Sequence, residues 1–481
     1  MSRRFLLDRA RRGAATRGTT SHLAGRFASL LVGLVAALAA GTEPLLTAQE
    51  TPPTPPESVP PKEAPPTPEP PAAAPARETP QIDWLASWPE ALRRARAEKK
   101  PIFVAFNADG TVDDDALAKL YREEALATKL SAFVCVVGSA AQHVETTDEA
   151  EGRHCERFGL ISCADHQGCA QKAAAELFGG GEMVTPQHVV CTGEGRVLAR
   201  RAFALKLPDL QLLLDRALRA AAAPPPGSPE AKAEAARVAE LLADTQKARS
   251  SRKDEFLKTI HDLGSEAARA QLFDYAKKGD DDATRVAVIE SLALSGDYTV
   301  VEPLLTLCKE GKKFVALAAV DALRKVALPD AKEPLKKLLP SFTGNDAGRV
   351  LRALAACGPR DPAIRELLVK KARGNDQNIR GHALIGMGSL QSAPEIETLL
   401  DKALNDRLTV ARACAVYAVG RGRHEKCRDT LAKLAGAETH VALKELAETA
   451  LTHLDHDPAD PKCCDLDNLL GEFIALGDTR R

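Results

Sequence analysis

The feature that most constrains this chain is a repeat with a period near 31 residues in its C-terminal half. Glu302-Pro303-Leu304-Leu305 returns 31 positions later as Glu333-Pro334-Leu335-Lys336. Weaker echoes follow at Arg365-Glu366-Leu367-Leu368, Glu397-Thr398-Leu399-Leu400 and Arg428-Asp429-Thr430-Leu431. An Ala-rich segment precedes each one: around Val286 to Leu292, Val315 to Leu323, Val350 to Leu354, Ile379 to Leu384 and Val410 to Val416. A unit of one Ala-rich and one Leu-rich helix cannot bury its apolar face alone, so successive units must stack into an α-solenoid. Small Ala side chains let neighbouring helices approach closely, and the Leu rows fill the shared core. Capping residues (Asp281, Asp282, Asn345) and breakers (Gly296, Gly358) fall between units.

These phrases resemble short HEAT repeats of the type first recognised in phycocyanobilin lyases, over residues 228–455. The resemblance implies a protein-binding surface, and a pigment-lyase activity does not follow from it, because the repeat carries no chemistry of its own. Protein partners are expected on the concave face. Arg285, Lys325, Arg352, Arg380 and Arg412 near the Ala-rich helices admit two readings, a basic ladder for acidic partners or an ordinary face with local ion pairs. With 65 basic and 66 acidic residues, the chain carries no charge excess that calls for a nucleic-acid partner.

The N-terminus reads as a targeting segment. Arg3, Arg4, Arg9, Arg11, Arg12, Arg17 and Arg26 precede an apolar run from Phe27 to Ala40, with small residues near Ala39 and Ala48 for cleavage. That run is shorter than the roughly 20 residues that span a bilayer comfortably. Residues 1–48 are therefore expected to export the chain as a cleaved signal, an uncleaved membrane anchor being the alternative. Ser2-Arg3-Arg4-Phe5-Leu6 is similar to a twin-arginine signal but lies far from the apolar run. From 49 to 80 proline alternates with Ala, Thr and Glu, which suits an extended spacer. The expected location is periplasmic or extracellular, with a membrane tether if the anchor is retained.

Residues 81–222 read as an α/β domain. An amphipathic helix from Trp84 to Lys100 is expected first, then the strand Ile102 to Phe106, a helix from about Asp113 to Lys129 and the strand Phe133 to Val137. Gln187 to Cys191 and Arg196 to Arg200, separated by Thr192-Gly193-Glu194-Gly195, give a hairpin signal, and a last helix covers roughly Pro208 to Ala221. The phrases Lys100-Pro101-Ile102-Phe103-Val104-Ala105-Phe106 and Thr185-Pro186-Gln187-His188-Val189-Val190 resemble the opening strand and the cis-proline segment of the thioredoxin-like superfamily. The resemblance implies a Cys-x-x-Cys at the start of the helix after the first strand, where the helix N-terminus lowers the attacking thiol's pKa. Here that place falls near Thr111 and Asp114, and Asp113 to Asp115 would repel a thiolate. The fold class expected is thus a thioredoxin-like α/β domain followed by an all-α HEAT-type solenoid, with a tail from 456 to 481.

The cysteines leave several chemistries open. Cys135 and Cys191 sit in apolar strands, and Cys308, Cys357, Cys414 and Cys427 on helical patterns, all expected in the core. His154-Cys155 and Cys163-Ala164-Asp165-His166-Gln167-Gly168-Cys169 form a separate group. Cys163, His166 and Cys169, with His154 or Cys155 as fourth donor, match the ligand types of a tetrahedral site for zinc or another transition metal. In an exported chain the leading reading is one structural disulfide among Cys155, Cys163 and Cys169, with one thiol left over. A relocated redox pair acting beside Pro186 is a further alternative. In the tail, His453, His456, Cys463, Cys464 and Asp465 read as incidental donors. The leading expectation is a non-enzymatic interaction scaffold without a cofactor, the alternatives being a thiol–disulfide oxidoreductase and a metal-binding protein.

Overall fold

The computed structural model describes residues 82–107, 117–139, 143–148, 152–155, 161–179, 184–203, 206–247, 265–294, 298–456, 466 and 469–471. The expected targeting segment, the proline-rich stretch, residues 108–116 and tail residues 457–465 lie outside them.

An α/β unit comes first. Its sheet runs β1 (Trp84–Leu85), β3 (Val134–Ser139), β2 (Ile102–Asn107), β6 (Gln187–Cys191), β7 (Val197–Ala202) in spatial order. β2 lies parallel to β3 and antiparallel to β6, and β6 pairs antiparallel with β7 across a short turn. Every residue of β2, β3 and β6 is buried, as expected for central strands covered on both faces. One layer packs Phe103, Phe133 and Leu198 under Leu210, Leu213 and Leu214 of the helix Leu207–Ala222. The opposite layer packs Val104, Phe106 and Val136 under Trp88, Ala170 and Ala173. The peptide bond Thr185–Pro186 is cis.

Two elements depart from the sequence expectation. The first helix starts at Trp88, not Trp84, because Pro89 fits only a first helical turn, and Trp84 instead pairs with Cys135 as an edge strand. The helix expected up to Lys129 is interrupted. Residues 117–120 are helical, Tyr121 to Glu123 turn, and a new helix covers Glu124–Leu130. Tyr121 is held there by contacts of its hydroxyl with His188 Nε2 at 2.8 Å and Asn107 Oδ1 at 3.2 Å. A further hairpin, β4 (Glu145–Asp148) with β5 (Gly152–Cys155), stands apart from the main sheet.

From Pro229 to Asp455 the described chain is helical. Ala-rich helices begin at residues 282, 313, 344, 377 and 409, with a further helix at 441, and they stack in that order. Between them lie the Leu-rich helices Val301–Glu310, Lys332–Leu338, Pro362–Ala372, Pro394–Leu404 and Arg428–Ala437. One continuous core runs through the array, including the fully buried Leu304, Leu335, Leu354, Leu368, Leu400 and Leu431. Cys308, Cys357, Cys414 and Cys427 are part of it.

The stacking of Ala-rich helices depends on close approach at particular points. A Cβ added at Gly348 would lie 2.7 Å from His382 Cβ and nearer still to its ring, on the next Ala-rich helix. Gly436, by contrast, has open space where a Cβ would go. Gly436→Ala should therefore gain up to about 1 kcal/mol from helix propensity. Gly348→Ala should lose about 1–3 kcal/mol through overpacking despite the same propensity gain. Denaturant midpoints of the two variants should move in opposite directions, and parallel shifts would refute this account of the packing.

The sheet and the solenoid share contacts. Ala202 at the end of β7 belongs to the solenoid core, with Phe203 packed against it. Arg200 forms an ion pair with Asp330 and lies over the rings of Phe178 and Tyr298, at 5.4 Å and 5.7 Å from their centroids. Arg360 Nη1 donates to Thr185 Oγ1 at 3.4 Å, beside the cis peptide.

Candidate metal centre

The hairpin β4–β5 brings together donors that are scattered in sequence. Antiparallel pairing sets Glu145 opposite Cys155, which returns the chain beside His143, two residues before β4. The helix Cys163–Phe178 begins against this hairpin, with Ser162 as its N-cap accepting from the Asp165 amide. Cys163 and His166, three residues apart, share one helix face. One donor atom from each of His143, Cys155, Cys163 and His166 lies within 4.8 Å of every other. Cys155, Cys163 and His166 are buried, and His143 is half-buried.

The individual contacts are tight. His143 Nδ1 is 3.3 Å from His166 Nε2 and 3.3 Å from Cys155 Sγ. The His143 amide donates to Cys163 Sγ at 3.3 Å. His166 Nδ1 lies 3.0 Å from the Ser139 carbonyl at the end of β3, an acceptor that requires a proton on Nδ1. In the neutral ring the Nε2 lone pair is thereby left facing the other three donors. The backbone around the cluster is pinned: the Cys155 amide donates to the Ile161 carbonyl at 2.7 Å, and the Cys163 amide to Glu145 Oε1 at 2.7 Å. Burial pushes the Cys163 thiol up; the His143 amide works against that, and nearby Cys155 and Glu145 add to it.

Two of the residues singled out in sequence lie elsewhere. Cys169 follows Cys163 by six positions, about 240° around the helix, and so turns into the sheet core with Trp88, Val104 and Val189. Burial there pushes its thiol up to about 12. His154 occupies the strand position next to Cys155, and alternation sends it to the other face of the hairpin, opposite Thr146. Pro186 forms the cis bond that leads into β6. His143 was not singled out, because no short Cys/His spacing marks it; its only sequence signal is a position at the mouth of a hairpin that closes on Cys155. Cys463, Cys464 and Asp465 lie outside the described residues.

The nine described cysteines are all unbridged and buried. Burial pushes the thiols of Cys135, Cys191, Cys308, Cys357, Cys414 and Cys427 up to about 12, which suits core roles and not nucleophilic ones.

The cationic side chains of the solenoid act mainly as staples. Arg285 donates to the carbonyls of Ala276 and Lys277 at 2.9 Å each. Arg380 meets Asp406 at 2.6 Å, and Arg412 reaches both Glu438 at 2.8 Å and the Asp406 carbonyl at 2.9 Å. Arg423 donates to the carbonyls of His453, Leu454 and His456 at the end of the last long helix, each at 2.8 Å. Lys325 alone of the five ladder candidates is exposed. Of the two readings, local ion pairing therefore describes Arg285, Arg380 and Arg412.

A HEAT-repeat family model matches residues 269–356, within the helical array. No curated protein matches the chain. Among solved structures, the complex of CpcE and CpcF of phycocyanin lyase from Nostoc sp. PCC7120 is 18% identical, covering 48% of this chain and 92% of that one, with a TM-score of 0.35. Human deoxyhypusine hydroxylase is 16% identical over 51% of this chain and 96% of its own, with a TM-score of 0.26. A designed armadillo repeat protein in complex with a (KR)4 peptide is 18% identical over 45% of this chain and 99% of its own, with a TM-score of 0.25. The C-terminal part of the chain is similar to HEAT repeats, and a helical repeat array of this kind is suited to binding other proteins.

Proposed function

We propose that this chain is an exported interaction scaffold, in which a thioredoxin-like but redox-silent domain is carried on a HEAT-type solenoid that binds protein partners along its concave face. The observation that carries the proposal is the stack of helix pairs among the described residues, with a family match over residues 269–356. The thioredoxin-like part of the reading is supported by the parallel pair β2–β3, the antiparallel pairs β2–β6 and β6–β7, and the cis Thr185–Pro186 bond before β6. Redox silence is supported by the sequence between Asn107 and Leu117, which contains no cysteine. The targeting segment and proline-rich stretch support export and display away from a membrane.

The test is a dithiol-driven disulfide reductase assay on the purified full chain, paired with photo-crosslinkers placed on exposed solenoid positions such as Lys325. The expected outcome is no reductase turnover and crosslinks to protein partners from the extracytoplasmic fraction. Turnover comparable to that of a dithiol oxidoreductase would overturn the redox-silent reading. A second reading, a relocated thiol–disulfide pair, is favoured by one observation, the proximity of Cys155 and Cys163. It requires turnover that disappears in Cys155→Ser and Cys163→Ser.

A further inference from the structure

We infer that His143, Cys155, Cys163 and His166 bind one zinc-type divalent cation as a closed structural centre, fastening the hairpin β4–β5 to the helix Cys163–Phe178 and to the end of β3. This goes beyond the scaffold reading and does not depend on it.

Geometry is the first support. Tetrahedral zinc, with bonds of about 2.3 Å to sulfur and about 2.0–2.1 Å to nitrogen, sets donor–donor edges of about 3.4 Å for N–N, about 3.6 Å for N–S and about 3.8 Å for S–S. The edges from His143 Nδ1 to His166 Nε2 and to Cys155 Sγ are both 3.3 Å, and no edge of the four-donor set exceeds 4.8 Å. The two 3.3 Å edges are already at or slightly below the ideal lengths, and the shifts of up to about 1 Å that the other edges require are within the reach of side-chain torsions.

The surroundings are the second support. The His166 Nδ1–H is oriented by the Ser139 carbonyl, the arrangement that fixes tautomer and ring plane in metal-ligating histidines. The His143 amide points at Cys163 Sγ at 3.3 Å, and the sulfur sits in the first turn of a 16-residue helix, on the side that meets the hairpin. Glu145 holds the Cys163 amide from the opposite strand and so sets the spacing between hairpin and helix.

Charge and closure identify the class of ion. Two thiolates and two neutral imidazoles around a divalent cation sum to zero net charge, which makes burial of Cys155, Cys163 and His166 around the ion tolerable where two bare thiolates would repel. Ligation takes thiolates and neutral imidazoles, so binding releases protons and tightens as pH rises. All four positions are filled by protein, leaving none for water or substrate; that is the pattern of a structural centre, not of a hydrolytic one. Two sulfurs and two nitrogens in a tetrahedron select zinc over magnesium or calcium, which take oxygen donors.

The centre would also give this polar hairpin an anchor that it lacks by itself. Thr146, Thr147 and Arg153 are exposed, and the hairpin pairs only with itself. An isolated two-stranded hairpin is marginal in water. Its inner face is fastened at Cys155 and His143, the two donors that the ion would tie to the helix.

The experiment uses the full chain purified under reducing conditions without chelator. Metal content by mass spectrometry should show one equivalent of zinc. Replacement by cobalt(II) should give the intense visible ligand-field bands of a tetrahedral ion with thiolate-to-cobalt charge transfer. Cys155→Ser combined with Cys163→Ser should weaken metal binding by at least about 100-fold, and His143→Ala by about 10- to 100-fold or more. Cys169→Ser and His154→Ala should retain the full equivalent, which separates this site from any looser use of the local cysteines and histidines. Removing the ion from the native chain should speed amide exchange in residues 143–155 while the solenoid stays protected, a readout that needs no variant to fold. The inference is overturned if reduced protein supplied with zinc binds none, if the ion survives the double serine variant, or if its loss follows Cys169→Ser. A Cys155–Cys163 disulfide that re-forms in preference to metal after reduction would also overturn it.

Discussion

Acidification from about pH 7 to about pH 4.5 is expected to lower the denaturant midpoint of this protein steeply, because buried histidines must stay neutral in the fold. His188 is fully buried, stacked on Phe103 with ring centroids 5.5 Å apart, and its Nε2 lies 2.8 Å from the Tyr121 hydroxyl. Burial, with Arg201 nearby, pulls it down to about 3 from an ordinary value of 6.5. Burial also draws His382 down to about 4, helped by Arg352 and Arg349 and opposed by Asp321. His453 reaches about 4 through burial and the charges of Arg421, Arg423, Lys206 and His456.

Each depressed pKa means that the unfolded chain binds a proton the folded chain refuses. Stability is therefore full above pH 6.5 and falls as pH drops from there toward the folded value. A fully buried histidine such as His188 contributes up to about 1.4 kcal/mol per pH unit over that window. His382 and His453 contribute less, since water screens them more. The carboxyls of Asp361, Glu397 and Glu438 are held below their ordinary range by hydrogen bonds and lysine or arginine partners that outweigh their burial, and they add to the loss in more acid solution. His188→Phe should flatten the pH profile between 6.5 and 4.5, whatever it does to stability at neutral pH. A midpoint that stays level across that range in the native chain would refute the buried-neutral assignment.

Arg412→Ala should cost about 2–4 kcal/mol, the other large effect. The guanidinium places Nε and Nη2 on Glu438 Oε2 at 3.1 Å and 2.8 Å, and Nη1 on the Asp406 carbonyl at 2.9 Å. It thus joins three consecutive elements of the array: the loop after the helix Pro394–Leu404, the helix Thr409–Gly422 and the loop after Arg428–Ala437. The side chains of Arg412 and Glu438 are only 17% and 7% exposed, so removing the cation leaves a carboxylate in a poorly hydrated place. Glu438 would keep only the amides of Thr439 and His440. Arg412→Lys should recover little, because an ammonium cannot span the carboxylate and the carbonyl with a planar fork. A double-mutant cycle with Glu438→Gln should show coupling above about 1 kcal/mol. Additive losses would show that the pair is ordinary surface pairing, and hydrogen exchange should place the damage in the last two repeats, since repeats depend on their neighbours.

The roles of the solenoid arginines show how far local pattern reaches. Arg285, Arg380 and Arg412 each stand three residues into an Ala-rich helix, and that recurrence is visible in the chain. Whether a recurring cation faces a partner or folds back onto the preceding turn depends on where Asp282, Asp406 and Glu438 fall in space. Those distances come from the helix crossing, not from the period. Similarly, Gly348 reads as a weak helix residue until His382 of the next unit is set against it.

The metal centre divides the same way. Cys163 and His166 share a face because helical spacing alone puts positions three apart together, so that half was legible from the chain. Cys169 stands three positions beyond His166, so spacing did not exclude it; its packing in the sheet core with Trp88 and Val104 did, whereas strand alternation sets His154 on the face opposite Cys155. His143 was not legible, since its place beside Cys155 depends on a hairpin closing between them.

What the sequence by itself determined is what short range controls. The 31-residue period, the helix pairs, the buried strands β2, β3 and β6, and the hairpin β6–β7 follow from apolar spacing and turn residues within a few positions. Only the tertiary structure decided which charges become staples and which donors converge, and it also set β7 against the solenoid through Arg200, Ala202 and Asp330. The physical reason is range: periodicity reports one element's own burial, whereas convergence of His143, Cys155, Cys163 and His166 requires three elements to meet at donor separations of a few ångströms.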